Sequence, residues 1–325
     1  MNRRRRLLVV LGAAALAPRT VLAQPKPAPM VIGWLSSGSR ESGADRVAAL
    51  KQGLAALGWK DGSQIVVEER WADGRFERLR SLAEDLAKKE PAVIVVSGSP
   101  AAIAATKGAP ATPVVVGTGD PLRAGLAASL ARPGGMVTGL SVVTESYEKH
   151  LELLLDLAPK LRRIGFLVDT GNPFLAIVMH GARRSIAQRQ IEARFEEASN
   201  PDEIEPALAR LANQGVQGLI VTGSPMLLAA RRTIVKFAMA NRWPAIAPQN
   251  EVAEQGALLS YGAERLALYR RSAYYVDRIL KGAKPGDMPI EQPTRFELVL
   301  NMKTAKALGL TISQPFLMRA DRVIE

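Results

Sequence analysis

Residues 95–100 read Val-Val-Ser-Gly-Ser-Pro, and residues 220–225 read Ile-Val-Thr-Gly-Ser-Pro, so one pattern returns after 125 residues. Three further matches occur in the same order and at nearly the same spacing: 32–35 with 164–167, 65–67 with the segment beginning at Ile191, and 113–116 with 244–247. Four ordered matches at a nearly constant offset indicate two copies of one α/β unit. A period this long excludes a solenoid.

Apolar runs alternate with helical patterns, which is typical of a parallel sheet with crossover helices. In the first copy the sequence predicts strands at 30–35, 65–69, 93–96 and 113–116. The run at 93–96 is wholly aliphatic, as expected for a strand covered on both faces. We therefore predict an α/β protein with two similar Rossmann-like lobes, each built on a parallel sheet, and a ligand cleft between them.

Length and composition narrow the class of protein. The 325 residues fit about two domains, and a content of 47% hydrophobic residues excludes collagen-like and disordered chains. The sequence has no cysteine, which removes thiol nucleophiles, zinc–thiolate sites and lipid attachment through an N-terminal cysteine. It has two histidines, His150 and His180, too few for a histidine-rich metal site. We predict that both are surface residues and that the protein uses no cofactor and no metal.

The first 23 residues have the three-part layout of a secretory signal. Arginines at 3–6 precede an apolar run at 7–17, and small residues end at Ala23, so we predict cleavage before Gln24. The apolar run has 11 residues, whereas a bilayer span needs about 20. An uncleaved anchoring helix is the alternative. The sequence predicts an exported, periplasmic protein and leaves open the twin-arginine or the general export route.

Export also changes the interpretation of the charge. The formal net charge is +12, and five arginines without any acidic residue lie in the first 23 residues, which leaves +7 on the mature chain. A basic balance can indicate nucleic-acid binding. No basic stripe interleaved with aromatic residues is present, so we predict no nucleic-acid partner.

Small polar residues follow the predicted strands, often beside glycine and at the start of a helix. In open α/β sheets, ligands bind beyond the carboxyl ends of the strands, where free N–H groups favour a carboxylate or phosphate. Helix capping alone would explain any one of these residues. Because they face each other across two lobes, the set predicts a binding cleft with twelve ligand-binding residues: Ser36, Ser37, Ser97, Ser99, Thr118, Asp120, Asp169, Asn172, Ser224, Asn250, Glu251 and Tyr261.

Roles within this set follow from chemistry. We expect Ser97, Ser99 and Thr118 to bind a ligand carboxylate, and Asp169 or Glu251 to bind an ammonium group. Helix capping is the alternative role for Asp120.

The cleft residues also restrict the ligand. Apart from Tyr261, these residues lie at strand ends in six cleft loops: 36–39, 97–100, 117–121, 169–173, 222–225 and 248–251. None contains lysine or arginine, which argues against a multiply charged anion. The few aromatic residues nearby, Trp34, Phe174 and Tyr261, argue against a long sugar. A small zwitterion or monocarboxylate with an apolar or aromatic body fits best. Burial in the core is the alternative for Trp34.

The same loops give little support to catalysis. No glycine-rich phosphate fingerprint or Walker motif is present, and residues 223–225 lack the flanking pattern of a nucleophile elbow. An exported hydrolase that uses Ser97 or Ser224 is the alternative, but no general base is expected near either serine. We predict binding rather than turnover, with no catalytic residue.

Several motifs are similar to those of one family. They are VIGWLSSG at 31–38, RPGGMVTG at 132–139, SYG at 260–262, RILKGAKP at 278–285, QPTRFELVLN at 292–301 and KTAKALGL at 303–310. Together they resemble the ABC transporter substrate-binding proteins of the tryptophan/tyrosine type, over essentially the whole mature chain.

This resemblance implies a type I periplasmic-binding fold whose lobes close on the ligand by hinge motion. It implies delivery of the ligand to an ABC permease in the inner membrane. We expect the protein to be a monomer. The chain is expected to cross between lobes near 139–144, 260–262 and 289–293, which gives lobe one at 30–142 plus 262–292 and lobe two at 143–261 plus 293–325.

Two second-lobe loops depart from the family pattern. Residues 170–173 read Thr-Gly-Asn-Pro where relatives often show two asparagines, and residues 248–250 read Pro-Gln-Asn where an aromatic or basic residue is common. The identity of the ligand therefore stays open. A receptor that presents its ligand to a sensor protein is a further alternative.

Overall fold

The structure is a computed structural model, which describes residues 28–142, 147–170, 179, 183 and 186–325. The predicted signal at 1–23, Asn172, Phe174 and His180 lie outside the described residues. No helix in the described part of the chain is long and apolar enough to cross a membrane.

Two separate sheets organise the chain. The first has the order β2-β1-β3-β4-β5 and contains β1 (Met30–Ser36), β2 (Ile65–Trp71), β3 (Val93–Ser97), β4 (Val114–Thr118) and β5 (Val137–Gly139), with every pair parallel. The second has the order β12-β11-β10-β9-β8-β6-β7. It contains β6 (Arg163–Asp169), β7 (Glu192–Ala198), β8 (Gly218–Val221), β9 (Ala245–Ala247), β10 (Leu259–Ala263), β11 (Phe296–Asn301) and β12 (Arg322–Ile324). Its pairs are parallel except β10 with β11. The predicted two-lobed α/β class is confirmed.

Helices cover these sheets. They are α1 (Arg40–Ala56), α2 (Leu79–Ala87), α3 (Ser99–Gly108), α4 (Tyr147–Leu157), α5 (Ile204–Asn213), α6 (Pro225–Ala229), α7 (Arg231–Ala240), α8 (Asn250–Glu254), α9 (Arg265–Leu280), α10 (Met302–Leu308) and α11 (Gln314–Leu317). Short 3-10 turns lie at Phe76–Arg78, Pro201–Glu203 and Pro285–Asp287.

Alternation along the strands divides the core of the first lobe between its two faces. Trp34 and Val95 pack with residues of α1 and α9 on one face, whereas Leu35 and Val96 pack with α2 and α3 on the other. Trp34 is fully buried, so core burial is its correct interpretation. The all-aliphatic strand β3 is buried along its whole length, as predicted for a strand covered on both faces.

Helix α9 packs on the first lobe although it follows β10 and precedes β11, both strands of the second sheet. Beside it, Ser141 donates its N–H to the carbonyl of Glu291 at 2.8 Å, and Glu291 donates its N–H to Gly139 at 3.0 Å. The chain therefore passes between the lobes on either side of α9 and again after β5.

The prediction that His150 is a surface residue is wrong. Its side chain is 1% exposed, and its Nε2 lies 2.7 Å from the carbonyl oxygen of Tyr261. The reason is its position on the inner face of α4, where it stands one turn from Tyr147 and from Leu154. The Tyr261 carbonyl of β10 provides a polar partner for the buried ring.

Candidate functional site

The carboxyl ends of β1, β3 and β4 bring three of the predicted hydroxyl residues together. Ser36 pairs in register with Ser97, and Ser97 with Thr118, because parallel strands end at one edge of the sheet. All three side chains are buried. The structure thus forms the row of hydroxyls that the sequence predicted for the first lobe.

Tyr269 of α9 joins two members of this row. Its hydroxyl donates to Ser97 Oγ at 2.7 Å and lies 2.9 Å from Thr118 Oγ1. Since the Tyr269 hydrogen is used on Ser97, Thr118 is the donor in the second bond. Sequence reasoning missed Tyr269, because its position on a helix far along the chain carries no local signal for this contact.

Close packing fixes the ring of Tyr269. A Cβ placed on Gly117 would lie 2.3 Å from its Cε1 atom, so only glycine fits at this point of β4. On its other side the ring centroid lies 5.3 Å from that of Trp34, which in turn lies 5.6 Å from Trp71. The ring that bonds to two of the hydroxyls therefore packs in one aromatic cluster with Trp34 and Trp71.

The loop after β1 contacts the second lobe. Ser36 Oγ accepts the N–H of Gly38 at 3.1 Å, and a Cβ on Gly38 would lie 3.2 Å from Pro225 at the start of α6. Ser37 is fully buried, and its Oγ has no hydrogen-bond partner among the described residues. This hydroxyl is a free buried donor at the lobe interface.

Two predicted residues of the first lobe bind each other. Ser99 Oγ accepts the N–H of Asp120 at 2.9 Å, and the Asp120 carboxylate accepts the N–H of Arg123 at 3.0 Å while lying 3.2 Å from Arg123 Nε. Asp120 therefore caps the turn that follows it, which was one of its two predicted roles.

In the second lobe, Ser224 caps α6 by accepting the N–H of Leu227 at 3.0 Å. Asp169 is 2% exposed, and its N–H donates to Thr222 Oγ1 at 3.4 Å. The N–H of Gly223 donates to the Tyr147 hydroxyl at 2.9 Å. These contacts order the ends of β6 and β8.

Asn250 and Tyr261 have partners on β10, β11 and α4. Asn250 accepts from Ser260 Oγ at 3.0 Å and donates to Glu297 at 2.5 Å. The half-buried ring of Tyr261 stacks on Phe296 with centroids 5.8 Å apart. The structure does not unite these two side chains with the hydroxyl row of the first lobe.

Glu251 meets a cation that the sequence analysis did not single out. Its Oε1 accepts from Arg46 Nη2 at 3.3 Å, across the two lobes, and Arg46 is 1% exposed. Burial tends to raise the pKa of the Glu251 carboxyl, but Arg46 and Arg265 outweigh it and hold that pKa below its usual value. Arg46 lies in the middle of α1 rather than in a strand-end loop, so no local feature of the sequence indicates that it contacts Glu251.

Exposed ion pairs also connect the lobes. Arg75 lies 2.9 Å from Asp202, and Arg232 of α7 lies 3.2 Å from Glu41 of α1. With the contact between Gly38 and Pro225, these pairs show that the lobes touch along the rim of the cleft.

A cavity of about 410 Å³ opens beside Glu251. Its wall includes side chains of α1, α8, the start of α9 and β11. Most of them are charged: Asp45, Glu251, Glu254, Glu264, Arg265, Arg295, Glu297 and Arg322. Several of these charges pair with one another, as Arg322 does with Glu254 at 2.6 Å.

Several buried polar atoms have no hydrogen-bond partner within the described residues. They include Trp34 Nε1, Ser37 Oγ, Arg46 Nε, Ser141 Oγ and Gln249 Nε2. Such atoms are rare in proteins and need a partner. Within the described ranges, no group of three or more His, Asp or Glu side chains could hold a metal ion.

Comparison with known proteins gives a consistent result. The sequence model of the family described as ABC transporter substrate binding protein matches residues 36–324. A tyrosine-binding protein of Clostridioides difficile (strain R20291) is 27% identical over 258 residues, which cover 79% of this chain and 74% of the relative.

Solved structures share the fold. A domain from Streptococcus pneumonia in complex with L-Trp is 24% identical with a TM-score of 0.84, over 91% of this chain and 100% of that chain. A conserved domain protein from Vibrio cholerae has a TM-score of 0.85 at 24% identity and the same coverage. A ligand-free, open substrate binding protein from Clostridium difficile has a TM-score of 0.63 at 23% identity, over 91% of this chain and 99% of that chain.

Proposed function

The chain belongs to the family of ABC transporter substrate-binding proteins, and we propose that it is an exported periplasmic receptor, monomeric, that captures an amino acid between its lobes. It would deliver this ligand to an ABC permease in the inner membrane. The matched relatives are binding proteins, so the prediction of binding rather than turnover is confirmed.

The unpartnered polar atoms between the lobes carry the ligand proposal. Ser37 and Gln249 offer a buried hydroxyl and a buried amide from opposite lobes, and neither has a hydrogen-bond partner among the described residues. A buried polar group without a partner costs about 1–3 kcal/mol. A small polar ligand held between the lobes would supply the missing hydrogen bonds.

The arrangement of the lobes supports capture by closure. At nearly equal identity and coverage, the TM-score is 0.84 with the L-Trp complex and 0.63 with the open structure. The ion pairs and close contacts between the lobes of this chain agree with a closed receptor. We propose the predicted lobe ranges, 30–142 plus 262–292 and 143–261 plus 293–325, and a hinge where the chain passes β5, β10 and β11.

For the ligand's carboxylate we propose Ser97, Ser99 and Thr118, and for its ammonium Asp169 or Glu251. Tyr269 donates to Ser97, whose own hydrogen stays available for the carboxylate, whereas Thr118 would turn its hydrogen from Tyr269 to the ligand on binding. An aromatic or apolar body agrees with the names of two relatives, a tyrosine-binding protein and an L-Trp complex.

A thermal-shift screen of the mature protein tests the ligand class. The panel would contain the common amino acids, sugars and phosphate esters, because a ligand that binds only the folded state raises the Tm by mass action. We expect aromatic or branched amino acids to give the largest shifts. Shifts with sugars or phosphates and none with amino acids would leave the receptor and remove the ligand proposal.

Single substitutions test the carboxylate site. Hydrogen bonds to charged groups are worth ~1.5–3 kcal/mol, so Ser97→Ala and Thr118→Ala should each weaken binding roughly tenfold or more. Ser81→Ala, which removes an exposed hydroxyl of α2, is the control and should bind normally. Normal affinity in both cleft variants would refute the assignment.

A further inference from the structure

We infer that Arg46 is a positioning residue, which holds the carboxylate of Glu251 in place for the ammonium group of the ligand when the lobes close. The inference rests on the proposed function and goes further in two respects. It selects Glu251 over Asp169, and it makes an amine-bearing ligand a requirement of the closed state.

The geometry brings the guanidinium of Arg46 to the first turns of α1. Side chains on a helix lean towards its N-terminus, and Arg46 Nη1 lies 3.7 Å from the position of a Cβ on Gly43, one turn earlier. The same Cβ position lies 2.7 Å from Trp71. The guanidinium therefore lies near the end of β2 and close to the loop that follows β1.

The pair depends on closure. Arg46 belongs to α1, which packs on the first sheet, and Glu251 belongs to α8, which packs on β9 and β10 of the second. Their contact of 3.3 Å is therefore made only when the lobes approach each other. Any movement that opens the cleft separates the two charges.

Arg46 is also poorly explained as a structural residue. It is 1% exposed, yet Nε has no hydrogen-bond partner in the described part of the chain and Nη2 makes one long bond. Burying a charge with incomplete hydrogen bonding costs more than the ion pair returns. The exposed lobe pairs, Arg75 with Asp202 and Arg232 with Glu41, carry no such cost.

Glu251 has the properties that an ammonium site needs. Its side chain is 24% exposed and lines the cavity of about 410 Å³, so it is buried on the side of Arg46 and accessible on another. Arg46 and Arg265 keep its carboxyl ionised. The other charged groups around this cavity are Asp45, Glu254, Glu264, Arg295, Glu297 and Arg322.

Removal of Arg46 should change the titration of Glu251 in a defined direction. Burial alone raises the pKa of this carboxyl, and Arg46 is the first of the groups that lower it. In Arg46→Gln the pKa should rise. A carboxylate with a lowered pKa binds a cation over the whole physiological range, whereas one with a raised pKa loses that ability as the pH falls.

The test compares L-tryptophan with 3-indolepropionate, which lacks the amine, by calorimetry at pH 5.5 and pH 8. The wild type should prefer L-tryptophan equally at both values. In Arg46→Gln the affinity for L-tryptophan should be severalfold weaker at pH 5.5 than at pH 8, because a raised pKa leaves part of the Glu251 carboxyl protonated at the lower pH. Binding of 3-indolepropionate should show no such change.

Three variants complete the design. Arg46→Lys should restore the flat pH profile, and Glu251→Gln should lose the preference for the amine at both pH values. Arg75→Gln removes an exposed lobe pair and is the matched control, with an unaltered profile expected. Urea unfolding of each variant checks that the fold is retained.

The possible failures can be told apart. A wild type that binds none of the common amino acids would overturn the proposed function and this inference with it. Wild-type binding of L-tryptophan combined with an unchanged Arg46→Gln profile, or with equal losses for both probes, would overturn the inference alone.

Discussion

Tyr269 donates its hydroxyl hydrogen to Ser97 at 2.7 Å, across 172 positions of sequence. This bond links helix α9 to the end of β3. It places a residue that comes late in the sequence beside the strand ends of the first lobe. The hydroxyls that we assign to the ligand are therefore oriented by a residue that does not belong to any cleft loop.

Removing that hydroxyl should destabilise the first lobe. In Tyr269→Phe the ring still fills its place, but Ser97 and Thr118 lose their common partner while remaining buried. We expect a loss of about 1–3 kcal/mol in the free energy of unfolding, measured by urea denaturation. Tyr274→Phe, on the same helix and 38% exposed, should change little. Equal stability of Tyr269→Phe and the wild type would show that the hydroxyl bonds are dispensable.

Gly117 should not tolerate a methyl group. Its Cβ would lie 2.3 Å from the Tyr269 ring, which is fully buried and cannot withdraw. Gly117→Ala should lower the free energy of unfolding by about 1–3 kcal/mol, as is usual for overpacking. Gly135→Ala, where nothing lies within 4 Å of the Cβ, is the control. A neutral Gly117→Ala would mean that the ring moves more freely than its packing indicates.

Ser37 should separate binding from stability. Because its buried hydroxyl has no partner in the described part of the chain, Ser37→Ala should leave the unfolding free energy unchanged or raise it slightly. The same variant should lose the ligand-induced thermal shift if the hydroxyl binds the ligand. Ser36→Ala should behave in the opposite way, with lower stability, since it leaves the N–H of Gly38 without its acceptor. An Ser37→Ala protein with full ligand response would exclude Ser37 from the site.

The ion pair of Glu291 with Arg271 should make the free energy of unfolding depend on pH in the acidic range. Hydrogen bonds from Arg271, at 2.6 and 2.9 Å, hold the pKa of the Glu291 carboxyl below its usual value. A lowered pKa gives stability that is present above the pKa of the unfolded chain and is lost as the pH falls through the folded value. Both side chains are more than 40% exposed, so the pair should contribute at most about 1 kcal/mol.

Urea midpoints of Arg271→Gln and the wild type should therefore differ at pH 7 and converge below about pH 4. Arg132→Gln, which removes another exposed arginine, should follow the wild type at every pH. A constant difference between Arg271→Gln and the wild type over this range would assign the effect of Arg271 to packing rather than to charge.

The exported protein should begin at Gln24. Intact-mass measurement of periplasmic material from a Gram-negative host would show loss of residues 1–23. Replacing Ala23 by a bulky residue should block processing, because the peptidase reads small residues there. An intact mass for the full chain in the wild type would favour the anchoring helix instead.

Local patterns were sufficient to predict four of the five strands of the first sheet, and only the short β5 has no counterpart in the prediction. The observed β1 and β3 each extend one residue beyond the predicted ends, and β2 extends two. Such strands can be predicted because hydrophobic period and composition are properties of the strand itself. The repeat likewise predicted β6 to β9 of the second sheet but not β10 to β12, and Ile164 to Leu167 lie in β6 as Ile32 to Leu35 lie in β1.

Contacts between distant segments could not be predicted in this way. Tyr269, Arg46 and the buried position of His150 all depend on partners more than 100 residues away. No period or motif encodes such a pairing, and each of the three residues has the ordinary appearance of a helix residue in sequence. The positions of strand-end loops, in contrast, can be predicted, because each loop directly follows a predicted strand.

The placement of α9 has a consequence for the growing chain. The first lobe begins at Met30, but its core includes Leu268, Tyr269 and Val276 of a helix that ends at Leu280. During synthesis one apolar face of the first sheet therefore stays uncovered until α9, which comes much later in the chain, has been made. Neither lobe can complete its hydrophobic core before most of the chain has been synthesised.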